Sequence, residues 1–282
     1  MSKNNILRRV FLASAVILTS VWLLTGCSPA FLEGSSISID EEKTVSAADI
    51  TFLDIKTSSA NINVIPAKTK DIHVRYYGDA ISLINTRFVL DTSVSGGTLT
   101  IRTETEPFGI SITVTRQLTL DISVPEDYDG DISVRCSSGN VKIDDFSLGE
   151  LKLDLSSGNV RLNSVTAELC DARLSSGNIN AEGFSGDFEA DISSGNITIA
   201  YSEFSNNIKT RASSGNTTIK LPEDAAFYLD ASVSSGRIHN DFPMTVTPSD
   251  NNDKKRVQGT VGNGDNTITL HASSGNITVE KN

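Results

Sequence analysis

Asp127, Asp129 and Asp131 stand on alternate positions of EDYDGDIS, a spacing that can bring carboxylates together on calcium. A calcium loop of that kind also needs a glycine in sixth place and a bidentate glutamate in twelfth. Here those places hold Ile132 and Ser138, so the stretch reads as a turn after Pro125, and no metal is assigned. His73, His239 and His271 are isolated, with no Cys or second His at ligand spacing, which argues against zinc. No serine sits in a G-x-S-x-G elbow. Asp154, Asp171, Glu189 and Asp191 could supply the carboxylate pair of a polysaccharide lyase or hydrolase. Basic residues recur at matching positions, however, and ion pairing explains these acids. No catalytic residue and no cofactor is assigned, and an enzyme is not expected.

Two places read as candidate interaction sites. Lys254, Lys255 and Arg256 lie in a long segment, about 241–264, on an otherwise acidic protein, and long loops are where repeat proteins carry binding groups. Glu280 and Lys281 follow Val279 at what is expected to be the open edge of the final coil, where a partner could add a strand.

The elements that position these residues come from a repeat. Ser-Ser-Gly occurs seven times, with glycines at 139, 158, 177, 195, 215, 236 and 275, and all but Gly236 are followed by Asn. The intervals are 19, 19, 18, 20, 21 and then 39 residues. Aligned on this turn, apolar columns appear, such as Ile132, Leu151, Cys170, Phe188, Ile208, Leu229 and Ile268. A period of two within strands and of about 19 residues between them predicts an all-β parallel β-solenoid, with Gly at each corner and stacked Asn side chains bonding between coils. Related folds suggest a right-handed coil. The outward column Arg135, Asp154, Arg173, Asp191, Arg211 alternates in sign, as expected of stacked strands. Its neighbour reads Lys152, Asp171, Glu189, Lys209, Asp230. Upstream, Ser58-Ser59-Ala60-Asn61 resembles the corner, and Ser95-Gly96-Gly97-Thr98 is a looser copy. The gaps beside them hold extra coils or inserted hairpins. Cys136 and Cys170 fall in different columns two coils apart, too far for a disulfide.

The N-terminus reads as a targeting segment. Lys3, Arg8 and Arg9 precede an apolar run from Phe11 to Leu24, short for a membrane span, and no acid occurs before Cys27. Leu24-Thr25-Gly26-Cys27 resembles the bacterial lipobox, which implies a signal peptide over 1–26 and a lipid on Cys27. Residues 27–48 then read as a flexible tether and 49–282 as one solenoid domain. Removing residues 1–26 takes three basic residues and no acid, moving the net charge from −11 to −14. So acidic a surface is a poor partner for nucleic acid. Membrane contact is expected through the lipid, at the extracytoplasmic face of the cell membrane.

LTLDISVPEDYDGDISVRCSSGNVKI, the SSGNV/SSGNI corners, IKLPEDAAFYLDASVSSGRI and the closing GNGDNTITLHASSGNITVEKN together resemble the bacterial putative-adhesin family called Toastrack, over about residues 50–282. Relatives often carry Asp where this chain has Asn after the glycine. The resemblance implies an extracytoplasmic β-helical domain without known catalytic residues, linked to adhesion or envelope-stress sensing. The expected function is therefore a lipid-anchored binding module that contacts an envelope protein or glycan. The alternatives are a carbohydrate-active β-helix enzyme and a purely structural envelope protein.

Overall fold

Leu151, Leu153 and Leu155 are buried while Lys152, Asp154 and Ser156 between them face solvent. Such alternation makes a strand with one covered face, and it recurs along the chain. The computed structural model describes residues 35–82, 86–107, 113–246 and 255–282, and every regular element among them is a strand. In chain order these are β1 (Ser35–Ser46), β2 (Phe52–Thr57), β3 (Asn61–Ala67), β4 (Asp71–Ser82), β5 (Thr86–Ser95), β6 (Thr98–Pro107), β7 (Thr113–Pro125), β8 (Asp131–Ser138), β9 (Val141–Asp144), β10 (Ser147–Ser157) and β11 (Val160–Asn163). They continue as β12 (Thr166–Ser176), β13 (Ile179–Ser194), β14 (Ile197–Tyr201), β15 (Ile208–Ser214), β16 (Thr217–Leu221), β17 (Phe227–Ser235), β18 (Ile238–Asn240), β19 (Thr245–Val246), β20 (Arg256–Val261), β21 (Thr267–Ser274) and β22 (Ile277–Lys281).

These strands form two ladders around a shared apolar core. The first runs β1-β4-β7-β3-β9-β11-β13-β14-β16-β22-β18. The second runs β5-β6-β2-β8-β10-β12-β13-β15-β21-β17-β20-β19. β13 serves both, turning between them near Gly183 and Gly186. From β2 to β22 the pairing is parallel apart from the antiparallel pairs β4–β7, β5–β6, β17–β20 and β19–β20, so the molecule is a β-solenoid-like stack. Ile132, Leu151, Cys170, Phe188, Ile208, Ile268 and Leu229 are successive partners and all are buried. Across from the Ser-Ser-Gly corners, Phe188, Phe184, Tyr201, Phe204, Phe227 and Phe242 meet edge to face, with centroids 5.0–6.2 Å apart. Aromatic pairs favour this geometry.

Both ends depart from the simple repeat. The turn at Ala60 stacks on the corner at Gly139, because β2 pairs with β8 and β3 with β9. Everything between is an insertion: β6 and β7 add parallel strands beyond β2 and β3, while β5, β4 and β1 close them with antiparallel pairs. Ser95-Gly96-Gly97-Thr98 is thus a β5–β6 hairpin and not a copy of the corner. Gly96 and Gly97 both take left-handed φ, 56° and 77°, which suits a tight hairpin.

Of the tether expected over 27–48, residues 27–34 lie outside the described residues, and the part Ser35–Ser46 is corrected, since it is strand β1 along its whole length on β4. Its acidic cluster has work there. Asp40 accepts two hydrogen bonds from Arg75 (2.9 and 3.1 Å), which hold its carboxyl below the usual range. Glu41 accepts the Leu90 N–H at 2.8 Å, capping an edge strand.

Cys136 stacks on Leu155, whereas Cys170 lies between Leu151 and Phe188, and both thiols are buried and raised in pKa by that burial. In a Cys27→Ala chain, a thiol reagent is expected to label neither cysteine before unfolding and both afterwards. Labelling of the native chain would mean that the coils open at this level.

Candidate functional site

The corner asparagines form a continuous ladder. Asn61 Oδ1 accepts the backbone and side-chain N–H groups of Asn140, both at 3.1 Å. Asn140 does the same for Asn159, and Asn159 for Asn178, at 2.8–3.1 Å. The series continues through Asn196, Asn216 and Asn276. Two residues beyond each corner, the strands of the first ladder turn a second column outward. Its successive partners are Asn63, Lys142, Arg161, Asn180, Thr198, Thr218 and Thr278.

Between the two columns lies an open groove of about 710 Å³, whose lining includes Asn140, Asn159, Asn178, Lys142, Arg161 and Tyr77. Tyr77 belongs to the insertion: β4 pairs it with Thr119 of β7, and Thr119 pairs with Asn61. The Tyr77 hydroxyl donates to Asp121 Oδ2 at 3.0 Å, and Asn63 Nδ2 donates to Asp121 Oδ1 at 2.7 Å. The bond to Asp121 raises the Tyr77 phenol above its usual pKa, so it stays a donor. The Arg75 guanidinium lies 4.8 Å from the centre of the Tyr77 ring. Lys142 is paired with Asp144. Arg161 is exposed and has no ion pair among the described residues.

The fold, the corner series and the closing strands all fit one family, and residues 50–280 match Toastrack DUF4097. The chain belongs to that family. No curated protein matches it. Solved structures similar to this Toastrack chain include a "putative adhesin" from Bacteroides fragilis, 15% identical over 88% of this chain and 99% of that one, at a TM-score of 0.46. A "putative cell adhesion protein" from Clostridium sporogenes is 15% identical over 87% and 100%, at 0.39. A "putative lipid binding protein" from Parabacteroides distasonis is 15% identical over 85% and 96%, at 0.37.

In this Toastrack chain the interaction residues expected from sequence are not gathered into one surface. Lys254, like Cys27, lies outside the described residues. Lys255 Nζ donates to the Gly236 carbonyl at 3.1 Å, tying β20's start to a corner. Arg256 makes two hydrogen bonds to Asp230, 3.0 and 2.8 Å, and so serves the β17–β20 pair. Glu280 pairs with Lys220 at 3.2 Å. Lys281 reaches Glu223 at 4.0 Å and lies 5.7 Å from the centre of the Phe242 ring.

The expected open edge after Val279 is corrected outright. β21 lies between β15 and β17, and β22 between β16 and β18, so this coil is inserted one place before the end of the stack. Antiparallel β20 and β19 cover β17 instead, and β18 is a three-residue edge. Short edges resist strand addition.

Among the carboxylates, Asp154 stacks between Arg135 and Arg173, and Asp191 between Arg173 and Arg211. The closed ion pairs follow the expected cross-coil pairing only in part: Lys209 reaches Glu189 on the adjacent coil at 3.3 Å, whereas Arg173 bonds Asp171 on its own strand at 2.7 Å. Asp230 is separated from Lys209 by Thr269 of the inserted coil. Asp131 accepts the Glu150 N–H at 2.7 Å, and no cluster suited to a metal occurs among the described residues.

Proposed function

We propose that this chain is a lipid-anchored, extracytoplasmic binding module of the cell envelope, adhesin-like in action and held to the membrane by a lipid on Cys27. The observation that carries the binding role is the groove: a concavity on a regular stack, lined by amides and a guanidinium and by no carboxylate. Asp154 and Asp191 on the second ladder stand between arginines, and Asp171 and Glu189 are ion-paired with Arg173 and Lys209, which favours a structural use for them over acid–base chemistry. The anchor rests on Leu24-Thr25-Gly26-Cys27 alone. The solenoid keeps one face in register over many coils, a form suited to display. Its partner is an envelope protein or a glycan, and the groove favours the glycan.

Two measurements test the reading. Cys27→Ala is expected to release the protein from the membrane fraction and abolish incorporation of labelled fatty acid; retention without label would overturn the anchor. A photo-reactive group at position 142 of the native chain should then crosslink to envelope glycan in intact cells. A discrete membrane-protein adduct in place of glycan would move the role to an envelope-stress complex.

A further inference from the structure

We infer that the groove beside the asparagine corner takes an extended, carboxylate-bearing polysaccharide, lying along the stack with its acid groups at Arg161. The inference rests on the adhesin-like reading above and names its ligand class.

Hydrogen-bonding capacity at the groove wall sets the chemistry. A side-chain amide has one acceptor oxygen and two N–H donors. In the ladder, each Oδ1 of Asn61, Asn140 and Asn159 already accepts two N–H groups from the next coil. Each Nδ2 of Asn140, Asn159 and Asn178 uses one hydrogen in the same way. Each of these groove-lining amides keeps a second N–H. No carboxylate lines the groove, and the acids that its lining residues bond are engaged: Asp121 by Asn63 and Tyr77, and Asp144 by Lys142. The wall therefore offers donors and few acceptors, and it selects a ligand rich in oxygen acceptors.

Charge narrows the class. The groove's unpaired charge among the described residues is the Arg161 guanidinium, whose planar fork suits a carboxylate. One such group on a chain of net charge −11 does not make the basic surface that nucleic acid needs. A protein partner would want an apolar centre to the contact, and the exposed positions here are amide, cation and hydroxyl.

Spacing narrows it further. Donors recur at the separation of neighbouring strands, about 4.8 Å, close to the length of one pyranose in an extended β-1,4-linked chain. Each sugar thus meets an equivalent amide. Tyr77 lines the groove, and with the Arg75 guanidinium over one face its other face is of the size of a sugar ring.

The test uses the full chain in detergent, titrated with a β-1,4-linked mannuronate hexamer, with cellohexaose, and with inorganic polyphosphate. The mannuronate hexamer is expected to bind about tenfold tighter than cellohexaose, the size of one charge-assisted contact. Arg161→Gln, at an exposed position, should erase that difference without moving the melting temperature. Tyr77→Ala should weaken both glycans. Equal binding of mannuronate by the wild-type chain and Arg161→Gln, or no binding of either hexamer, overturns the inference. Tighter binding of polyphosphate than of mannuronate overturns the sugar in favour of a phosphate polymer. If these titrations fail while the chain still crosslinks to envelope glycan from position 142, which lines the groove, the carboxylate-bearing ligand class falls and the adhesin-like reading stands. If crosslinking fails too, both fall.

Discussion

Gly177→Ala is expected to lower the melting temperature by about 10 °C, and Gly96→Ala by roughly half that. Gly177 sits at a corner with φ of +133°, and a Cβ there would lie 1.7 Å from the Gly158 carbonyl oxygen and 2.7 Å from its carbon. Those atoms are backbone, fixed by the next corner in turn, so no side chain can rotate away. Overpacking of this kind costs ~1–3 kcal/mol, and the unfavourable φ adds ~1–2 kcal/mol. At ~2–4 °C per kcal/mol for a domain of this size, the sum is on the order of 10 °C. Gly96 also has a positive φ, +56°, but nothing lies within 4 Å of where its Cβ would stand. Only the backbone cost applies there. Thermal unfolding of the two variants by circular dichroism separates the terms. A Gly177→Ala melt within about 2 °C of wild type would mean that adjacent corners can part without disturbing the ladders.

That contrast also explains how much could be read from the sequence. The corner repeats because each glycine is the surface on which the next one stacks, so one local requirement recurs at nearly fixed spacing. The apolar columns follow from it, since period two within a strand fixes which residues turn inward once the corner is aligned. The order of coils is a different matter. Residues 267–281 carry the same columns as every other coil and would fit at the end of the stack as well as inside it. What selects the inside is the antiparallel β20, which covers the outer side of β17 and forces the next coil in beneath it. That choice is made by non-local pairing, which local pattern does not encode. The groove was legible only in part. Lys142, Arg161 and Asn180 sit two residues past the aligned asparagines and can be read as a column. Tyr77 arrives from an antiparallel strand in the insertion, whose register no repeat fixes. The basic run at Lys254, Lys255 and Arg256 stood out by charge alone, and the partner of Arg256, Asp230, is 26 residues away in sequence.

Removing residues 265–282 is expected to abolish the folded domain rather than shorten it by one coil. Had these residues formed the outermost coil, their loss would have exposed one new edge. Because they lie inside, their loss strips β15, β16 and β17 of one neighbour each and β18 of the one it has among the described residues, and opens a gap that only movement of the outer coil could close. Ile268, Leu270, Ile277 and Val279 are completely buried. At ~1.5–3 kcal/mol for each such side chain, the lost burial is ~6–12 kcal/mol. The net stability of a domain is only ~5–15 kcal/mol. The truncated chain should therefore be insoluble or digested by protease under conditions that spare the full chain. A peptide of residues 265–282, added during refolding, should restore protection, because both ladders still present the edges it pairs with. Leu270→Ala gives a graded version, at a cost of ~2–5 kcal/mol. A truncated chain that stays soluble and melts within a few degrees of wild type would show that β17 can move down onto β15. The stack would then be a series of interchangeable coils, and the inserted order would be a preference of the covering hairpin alone.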